Sequence, residues 1–446
     1  MTGADTPTPA PIARGERIET LDVVRGFALF GILLMNIVVM GQPFGAYFNP
    51  AYAGPPSEAD FTAWFITHTF FEGSMRTLFS MLFGAGFILL LERLETRAPG
   101  LSAAKIYMRR LAYLMLFGLI DIVVFLWFGD ILFAYAVAGI FLLLFWKAKL
   151  RGLIIWAVAI MLMTTLFNLG GGEKFVVMQA EYDKAVAART AGETLTEEQQ
   201  TSLREFPEAI AFFQPNEEQN KEAIETAKGG WPAMAGHNFG KIFGTPIGFF
   251  ATFNVLDPLA AMLLGMIAYR LGLLQGRWSL RATLALAVAG FGIGVPVNLM
   301  ETQTIIASGF TIHGFFDAMR TYDLGRVSLA LGWLGVFLLI CKAPWLSWIR
   351  AGVGSVGRMA LSNYLAHSIM AAIFFIGMGY FGALSRAELY LVVAAMWTFN
   401  IVFSLLWLSL FRMGPFEWLW RWGTYGRPPP LVKARGAVAA PAESPA

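Results

Sequence analysis

Long apolar runs are the feature that most limits what this chain can fold into. About 20 apolar residues let a helix cross the hydrocarbon core of a bilayer, and about ten such runs are present. They lie near residues 21–41, 75–92, 107–128, 131–147, 150–169, 248–271, 281–300, 324–341, 359–381 and 388–411. The mixed segments 57–73 and 303–321 are predicted to lie along the interface or to re-enter the membrane. The sequence therefore predicts an all-α, polytopic helical membrane protein with about ten transmembrane helices.

Composition supports this prediction and narrows the possible functions. Apolar residues make up 57% of the chain and charged residues only 14%, whereas a soluble domain carries about 25% charged residues. Lys and Arg fall in short clusters between apolar runs, so the lipid bilayer is an expected partner and nucleic acid is not. The single cysteine, Cys341, excludes an intrachain disulfide and a cysteine-based metal site. We expect no metal and no bound cofactor, and the oligomeric state is left open.

The basic residues also predict sidedness. They concentrate in one set of short connections and both tails, and the positive-inside rule places that side in the cytoplasm. An even number of spans also requires both termini to lie on the same side of the membrane. The first 20 residues are polar and lack the pattern of a cleavable signal peptide. We therefore expect a multi-pass protein of the cell inner membrane.

The apolar runs and the predicted sidedness divide the chain into five segments. They are a cytoplasmic tail (1–20), a first group of membrane helices (21–169), an extracytoplasmic loop (170–246), a second group (247–426) and a disordered tail (427–446). The loop is predicted to form two or three amphipathic helices. It is either a solvated cap on the bundle or a lid over an outward-facing site.

Ionisable residues within apolar runs are costly, and they mark candidate functional sites. Asp22 and Arg25 open the first run three residues apart and can pair on one helical face. The pair either anchors the helix or presents an arginine to a phosphate or carboxylate. His68, Glu72 and Arg76 recur every four residues near the outer surface. Glu72 would orient the His68 imidazole as a general base, or the three form an interfacial ladder of ion pairs.

Two further groups lie deeper in the predicted bundle. Asp121 sits within the third run, with Asp130 in the following outer turn, and a carboxylate at that depth needs a proton or a cationic partner. It is either a functional group or a polar contact that joins two helices. The ninth run follows Arg358 and places Asn363 and His367 four residues apart on one face. A histidine that bonds to a neighbouring helix is the simpler interpretation of His367.

The densest charge cluster outside the long loop flanks the eighth run. It comprises His313, Asp317, Arg320, Asp323 and Arg326. Its position on the predicted outer side makes it a second candidate source of a base.

Dispersed motifs resemble the YeiB-like family of bacterial multi-pass membrane proteins. They are the opening Arg17–Ile32, FSMLFGAGF at 79–87, FGDIL at 128–132, GRMALSNY at 357–364 and GPFEWLWRWGTYG at 414–426. The Leu-Asp-x-x-Arg-Gly opening at 21–26 is also similar to that of transmembrane acyltransferases. These include heparan-glucosamine acetyltransferases and enzymes that O-acetylate bacterial surface sugars. That similarity implies an acyl-CoA donor bound from the cytoplasm, an outer hydroxyl or amine acceptor, and an assisting histidine.

The leading functional hypothesis is acyl transfer across the membrane, with Arg25 and Arg358 binding the phosphates of acyl-CoA. The catalytic candidates are two outer pairs, His68 with Glu72 and His313 with Asp317. The candidates for binding donor or substrate are Asp22, Arg25, Arg76, Asp121, Asp130, Arg358, Asn363 and His367. The absence of a P-loop from the sequence disfavours ATP-driven work.

The alternative hypothesis is a transporter of a small polar or lipid-linked solute. Asp121, Asp257 and Glu301 would then be coupling or substrate-binding groups at membrane depth. The sequence shows no internal repeat of the kind that many secondary transporters carry. A structural partner in an envelope complex is a third interpretation.

Overall fold

The computed structural model describes residues 18–97, 101–210, 214, 216–243 and 255–433. These residues form α-helices joined by short connections, and the part of the chain described contains isolated β-bridges but no strand. In chain order the helices are α1 (Glu19–Gly41), α2 (Gly45–Phe48), α3 (Glu58–Phe71), α4 (Ser74–Arg97), α5 (Leu101–Val123), α6 (Leu132–Leu142), α7 (Leu150–Thr190), α8 (Glu197–Ile210), α9 (Glu217–Lys228), α10 (Gly230–Phe243), α11 (Leu256–Arg270), α12 (Leu280–Ala307), α13 (Ile312–Ala318), α14 (Tyr322–Lys342), α15 (Ser347–Arg358), α16 (Ala360–Ala371), α17 (Arg386–Leu410) and α18 (Pro415–Tyr425). The π-helical turn Ala372–Gly377 continues α16.

The prediction of an all-α, polytopic membrane protein is confirmed. Within the described ranges, 7 helical segments are long and apolar enough to cross a membrane. They are Glu19–Gly41, Glu58–Glu95, Leu150–Thr190, Leu280–Ala307, Tyr322–Lys342, Ala360–Gly377 and Arg386–Leu410. The number of about ten spans stays a prediction.

Some helices differ from the apolar runs that predicted them. The predicted run 131–147 gives only the short helix α6, because tight turns follow Leu142, with Leu144 N donating to Phe141 O at 3.0 Å. By contrast α7 continues for 41 residues, far past the predicted end of its run at 169. The outer loop therefore begins as a direct extension of a membrane helix, and α8, α9 and α10 follow it.

The mixed segments and the tails have other outcomes. The segment 57–73 forms α3, and 303–321 forms the end of α12 and the short helix α13. Residues 427–433 of the predicted disordered tail pair with the end of α17, where Arg412 N donates to Leu431 O at 2.8 Å. The rest of that tail, residues 1–17 and the predicted start of the sixth run at 248–254 lie outside the described residues.

Glycines allow close crossings between the helices that carry the polar residues of the interior. A Cβ added to Gly357 of α15 would lie 1.8 Å from Asp22 O of α1. One added to Gly265 of α11 would lie 1.8 Å from Met81 O of α4. Such approaches of backbone to backbone are possible only for glycine, as in other tightly crossed membrane helices. The crossings of α1 with α15 and α4 with α11 therefore set the positions of the cavity-lining side chains.

Candidate functional site: two cavities with a shared wall

Two of the cavities within the described part of the bundle have one lining residue in common. The inner cavity, near the start of α1 and on the predicted cytoplasmic side, has a volume of about 200 Å³. The outer cavity, near the start of α4, has a volume of about 680 Å³. Tyr135 of α6 borders each of them. Tyr135 therefore forms part of the wall of both cavities.

Arginine dominates the charge of the inner cavity. Its lining includes Arg25, Arg110, Arg358 and Arg421, which come from α1, α5, α15 and α18. Arg25 Nη1 lies 3.4 Å from Asp22 Oδ1, so the predicted pair forms. The sequence predicted that Arg25 and Arg358 act together, and both lie in this cavity. It missed the other two arginines, whose only signal is a position near predicted inner helix ends.

Among the described residues, Glu417 is the one carboxylate in the inner cavity lining. Its Oε1 accepts hydrogen bonds from Leu361 N at 2.7 Å and Ser362 N at 3.2 Å, and its Oε2 lies 2.5 Å from Ser362 Oγ. The N-cap residue Met359 offers no side-chain acceptor to α16. Glu417 therefore caps that helix from α18, and burial raises the pKa of its carboxyl.

His68, Glu72 and Arg76 all line the outer cavity, although they do not share one helix. α3 ends at Phe71, and Gly73 takes a positive φ of 65° before α4 begins. The His68 ring stacks on the Trp64 indole with centroids 4.9 Å apart. The predicted orientation of His68 by Glu72 is replaced by other contacts of the carboxylate.

Those contacts are with tyrosines. Glu72 Oε2 accepts a hydrogen bond from Tyr47 Oη at 2.6 Å, and Oε1 accepts one from Tyr322 Oη at 3.4 Å. Tyr322 Oη in turn accepts from Arg76 Nη2 at 3.2 Å. The wall of the outer cavity thus carries a connected set of hydroxyl, carboxylate and guanidinium groups.

A network of ion pairs centred on the buried Asp257 and Arg326 supports this wall. Arg76 Nη1 lies 2.6 Å from Asp257 Oδ2, and Arg326 contacts Asp257 Oδ1 as well. Arg326 also donates to Asp323 Oδ1 at 2.9 Å and to Thr77 Oγ1 at 2.9 Å. Because Arg326 is only 2% exposed, it is held by these partners inside the bundle rather than by solvent.

The predicted outer charge cluster therefore divides into two parts. Arg326 is buried and Asp323, whose side chain is 14% exposed, lines the outer cavity, whereas His313, Asp317 and Arg320 form a separate and more exposed set. His313 Nε2 lies 3.5 Å from Asp317 Oδ2, with the two side chains 51% and 33% exposed. None of the exposed three borders the outer cavity. Their proposed role as a base stays a prediction that this placement does not favour.

The shared wall contains a second tyrosine and an aspartate. Tyr135 Oη lies 2.5 Å from Ser80 Oγ and donates to Arg76 O at 3.3 Å. Tyr364 lines the inner cavity, and its hydroxyl donates to Asp130 Oδ1 at 3.3 Å. Asp130 borders the outer cavity. Tyr364 and Asp130 therefore connect the two cavities through a single hydrogen bond.

The remaining candidates lie away from both cavities. Asn363 Nδ2 donates to Ser404 Oγ at 2.9 Å, and His367 Nε2 lies 2.5 Å from Asn400 Nδ2. These contacts join α16 to α17, in agreement with the simpler interpretation of His367. Asp121 is fully buried and borders neither cavity. Glu301, by contrast, lines the outer cavity and accepts from Thr321 Oγ1 at 2.7 Å.

Comparison with known proteins gives relatives along nearly the whole chain. A family profile described as "Protein of unknown function (DUF418)" matches residues 268–427. The chain is 31% identical over 437 residues to "Uncharacterized protein YxaH" of Bacillus subtilis (strain 168), covering 95% of this chain and 98% of the relative. It is 32% identical over 410 residues to "Uncharacterized protein YeiB" of Escherichia coli (strain K12), covering 91% and 96%. No solved structure matches.

Proposed function

This chain belongs to the YeiB-like (DUF418) family of membrane proteins, and we propose that it is an acyltransferase of the cell inner membrane. The donor is acyl-CoA in the inner cavity, and the acceptor is a hydroxyl or amine in the outer cavity. The observation that carries the proposal is the pair of cavities that share Tyr135 as a wall. An acyl group has only to cross that wall, while the donor and acceptor stay on opposite sides.

The charge of the inner cavity suits the donor. Guanidinium groups bind phosphate oxygens through paired, charge-assisted hydrogen bonds, and four arginines line this cavity. The volume of about 200 Å³ accommodates only part of coenzyme A. The thioester end would enter toward Tyr135, with the nucleotide extending to the predicted cytoplasmic side.

The chemistry of the outer cavity suits a polar acceptor with an apolar part. Aromatic rings, including Phe44, Phe128 and Phe315, line it beside His68 and Glu72. Pockets that bind organic ligands combine mostly apolar walls with a few polar groups that fix orientation. A sugar or a lipid-linked alcohol fits this description, and His68 is the histidine placed to assist the transfer.

Transport remains the second candidate because charged groups line the outer cavity at membrane depth. Asp257 and Glu301 are the carboxylates that such a mechanism would use. A transporter would also have to open the wall at Tyr135 wide enough for its whole solute. Acyl transfer requires passage of the acyl group alone, and this lesser requirement favours it.

Binding of radiolabelled acetyl-CoA to the detergent-purified protein tests the proposal. We expect saturable binding to the wild type, with Kd raised about tenfold or more by Arg25→Ala, because a charged hydrogen bond contributes about 1.5–3 kcal/mol. Arg277→Ala is the matched control, since Arg277 is exposed and does not border the inner cavity. Equal binding by all three proteins, or none by a folded wild type, would overturn the donor site.

A further inference from the structure

The lining of the outer cavity includes part of the lipid-facing surface of α7. Thr164, Phe167 and Asn168 of this helix line the cavity, and their spacing of three and four residues places them on one face. Phe167 is nevertheless 73% exposed. It lies in the apolar part of α7, within residues 150–169, so the surroundings of its exposed side are the hydrocarbon of the bilayer. The cavity therefore meets lipid at the Phe167 ring.

Other residues support a lipid-facing edge at this place. Ile155, Leu162 and Leu166 of α7 are 65%, 58% and 67% exposed, and an exposed apolar surface of this kind is typical of contact with a membrane. Leu256, at the start of α11, lines the cavity and is 37% exposed. The exposed part of the cavity lining is therefore apolar where α7 and α11 contribute to it. Such an edge favours a hydrocarbon chain over a free sugar.

The wall at Glu72 has the opposite character. The carboxyl groups of Glu72 and Glu301 line the same cavity. Tyr47 and Tyr322 donate hydrogen bonds to Glu72, and Thr321 donates one to Glu301. Within the described ranges neither glutamate forms an ion pair. Because the two oxygens of a carboxyl group can accept several hydrogen bonds, this wall can also accept one from a ligand hydroxyl or amine.

One cavity thus joins an apolar edge in contact with the bilayer to a wall of hydrogen-bond acceptors. A membrane lipid has the same two parts, a hydrocarbon chain and a polar head group. A water-soluble sugar would use the polar wall and leave the apolar edge at Phe167 uncovered. The arrangement of the lining therefore favours an amphipathic ligand over a fully polar one.

We propose that the acyl acceptor is a membrane lipid that enters the outer cavity sideways from the bilayer, past Phe167. Its head-group hydroxyl or amine lies at Glu72, and its hydrocarbon chain stays against α7. This inference rests on the proposed acyltransferase function and names the acceptor class. The head-group oxygen or nitrogen forms a bond to the acyl carbon, and the carbon–sulfur bond breaks with its electron pair on sulfur. The proton of the hydroxyl or amine leaves with coenzyme A as the thiol.

Photo-crosslinking of the full chain tests lipid entry without acyl-CoA. The photoreactive residue p-benzoylphenylalanine takes the place of Phe44, which lines the outer cavity and stacks on Tyr47 with ring centroids 6.5 Å apart. The vesicles contain phosphatidylethanolamine and phosphatidylglycerol, whose head groups offer an amine and hydroxyls. We expect intact-mass spectrometry after irradiation to show the protein with one phospholipid attached. The absence of a phospholipid adduct would overturn the lipid acceptor.

The same photoreactive residue in place of Phe399 is the control for this experiment. Phe399 of α17 is 48% exposed and borders neither cavity. It should form phospholipid adducts whatever occupies the outer cavity. Adducts at this control position together with none at the Phe44 position would therefore count against lipid entry rather than against the labelling chemistry.

A matched pair of variants tests the route past Phe167. Phe167→Glu places a charge where the chain would pass, and we expect it to lower the adduct yield at the Phe44 position about tenfold. Leu166→Glu adds the same charge to the next residue, which is 67% exposed but does not border the cavity, and should leave the yield unchanged. A wild-type yield from Phe167→Glu would overturn this route.

Binding of labelled acetyl-CoA separates this inference from the function on which it rests. Normal acetyl-CoA binding without a lipid adduct at the Phe44 position would overturn the lipid acceptor alone. A lipid adduct in a folded protein that binds no acetyl-CoA would support the lipid site and overturn the acyltransferase proposal.

Discussion

Arg326 holds together the charged wall of the outer cavity. It is 2% exposed and contacts Asp257, Asp323 and Thr77. Its removal would leave the buried carboxylate of Asp257 and the partly buried carboxylate of Asp323 with fewer cationic partners. Unpaired buried charges are far more costly than exposed ones, so loss of this side chain should destabilise that part of the bundle.

Arg326→Met should lower the free energy of unfolding by about 3–5 kcal/mol, the cost typical of breaking a buried ion pair. Arg320→Met is the matched control, because Arg320 is 63% exposed beside Asp317 and such surface pairs contribute about 1 kcal/mol or less. Thermal unfolding in detergent measures both. A similar small shift for the two variants would show that the buried network does not stabilise the fold.

At the residue scale, the sequence predicted which polar residues line the cavities better than it predicted their hydrogen-bond partners. Arg25, His68 and Glu72 were identified because charge within an apolar run is costly, and they line cavities. The partners of Glu72 were not predictable, since Tyr47 and Tyr322 approach it from separate segments. Spacing along one helix carries no information about contacts made by another.

At the scale of helices, close crossings through glycine determine the geometry of the inner cavity. Gly26 and Gly357 lie where α1 crosses α15, and a Cβ on Gly26 would lie 2.2 Å from Val353 O. Arg25 and Arg358 are the neighbours of these two glycines in sequence. The crossing therefore places both arginines beside the same space.

Gly357→Ala should destabilise the protein by about 1–3 kcal/mol, the cost typical of overpacking. The added methyl meets backbone atoms of α1 that cannot rotate away. Gly292→Ala is the control, since nothing lies within 4 Å of its Cβ position and alanine is favoured over glycine in a helix by about 1 kcal/mol. Thermal unfolding should separate the variants in opposite directions, and an unchanged Gly357→Ala protein would contradict the close crossing.

Two apolar runs predicted their helices to within two residues at each end. The first run predicted 21–41 and α1 spans Glu19–Gly41; the eighth predicted 324–341 and α14 spans Tyr322–Lys342. The outer end of α7 could not be found in this way. The polar residues that follow the apolar run remain helical as far as Thr190. Hydropathy there predicts where the apolar segment ends, and it does not predict where the helix ends.

At the scale of the whole molecule, sidedness decides which cavity faces the cytoplasm. The structure places the start of α1 and the arginine-lined cavity at one end of the bundle, and α8 beyond the opposite end of α7. The positive-inside rule assigns the arginine end to the cytoplasm. This assignment is independent of the proposed chemistry and can be tested alone.

Single cysteines in a Cys341→Ala background test the assignment. We expect Glu205→Cys, on an exposed part of α8, to react with a membrane-impermeant maleimide in intact spheroplasts. Lys149→Cys, exposed at the opposite end of the bundle just before α7, should react only after permeabilisation. The reverse pattern would invert the topology and place the arginine cavity outside.

The length of α7 has a mechanical consequence. Its 41 residues extend about 60 Å, twice the hydrocarbon thickness of about 30 Å. Outside the membrane its Tyr182 packs on Phe206 of α8 with ring centroids 5.0 Å apart, and within the bundle its Thr165 donates to Asp323 at 2.9 Å. The helix is continuous between these two contacts, so one helix joins α8 to the wall of the outer cavity without an intervening linker.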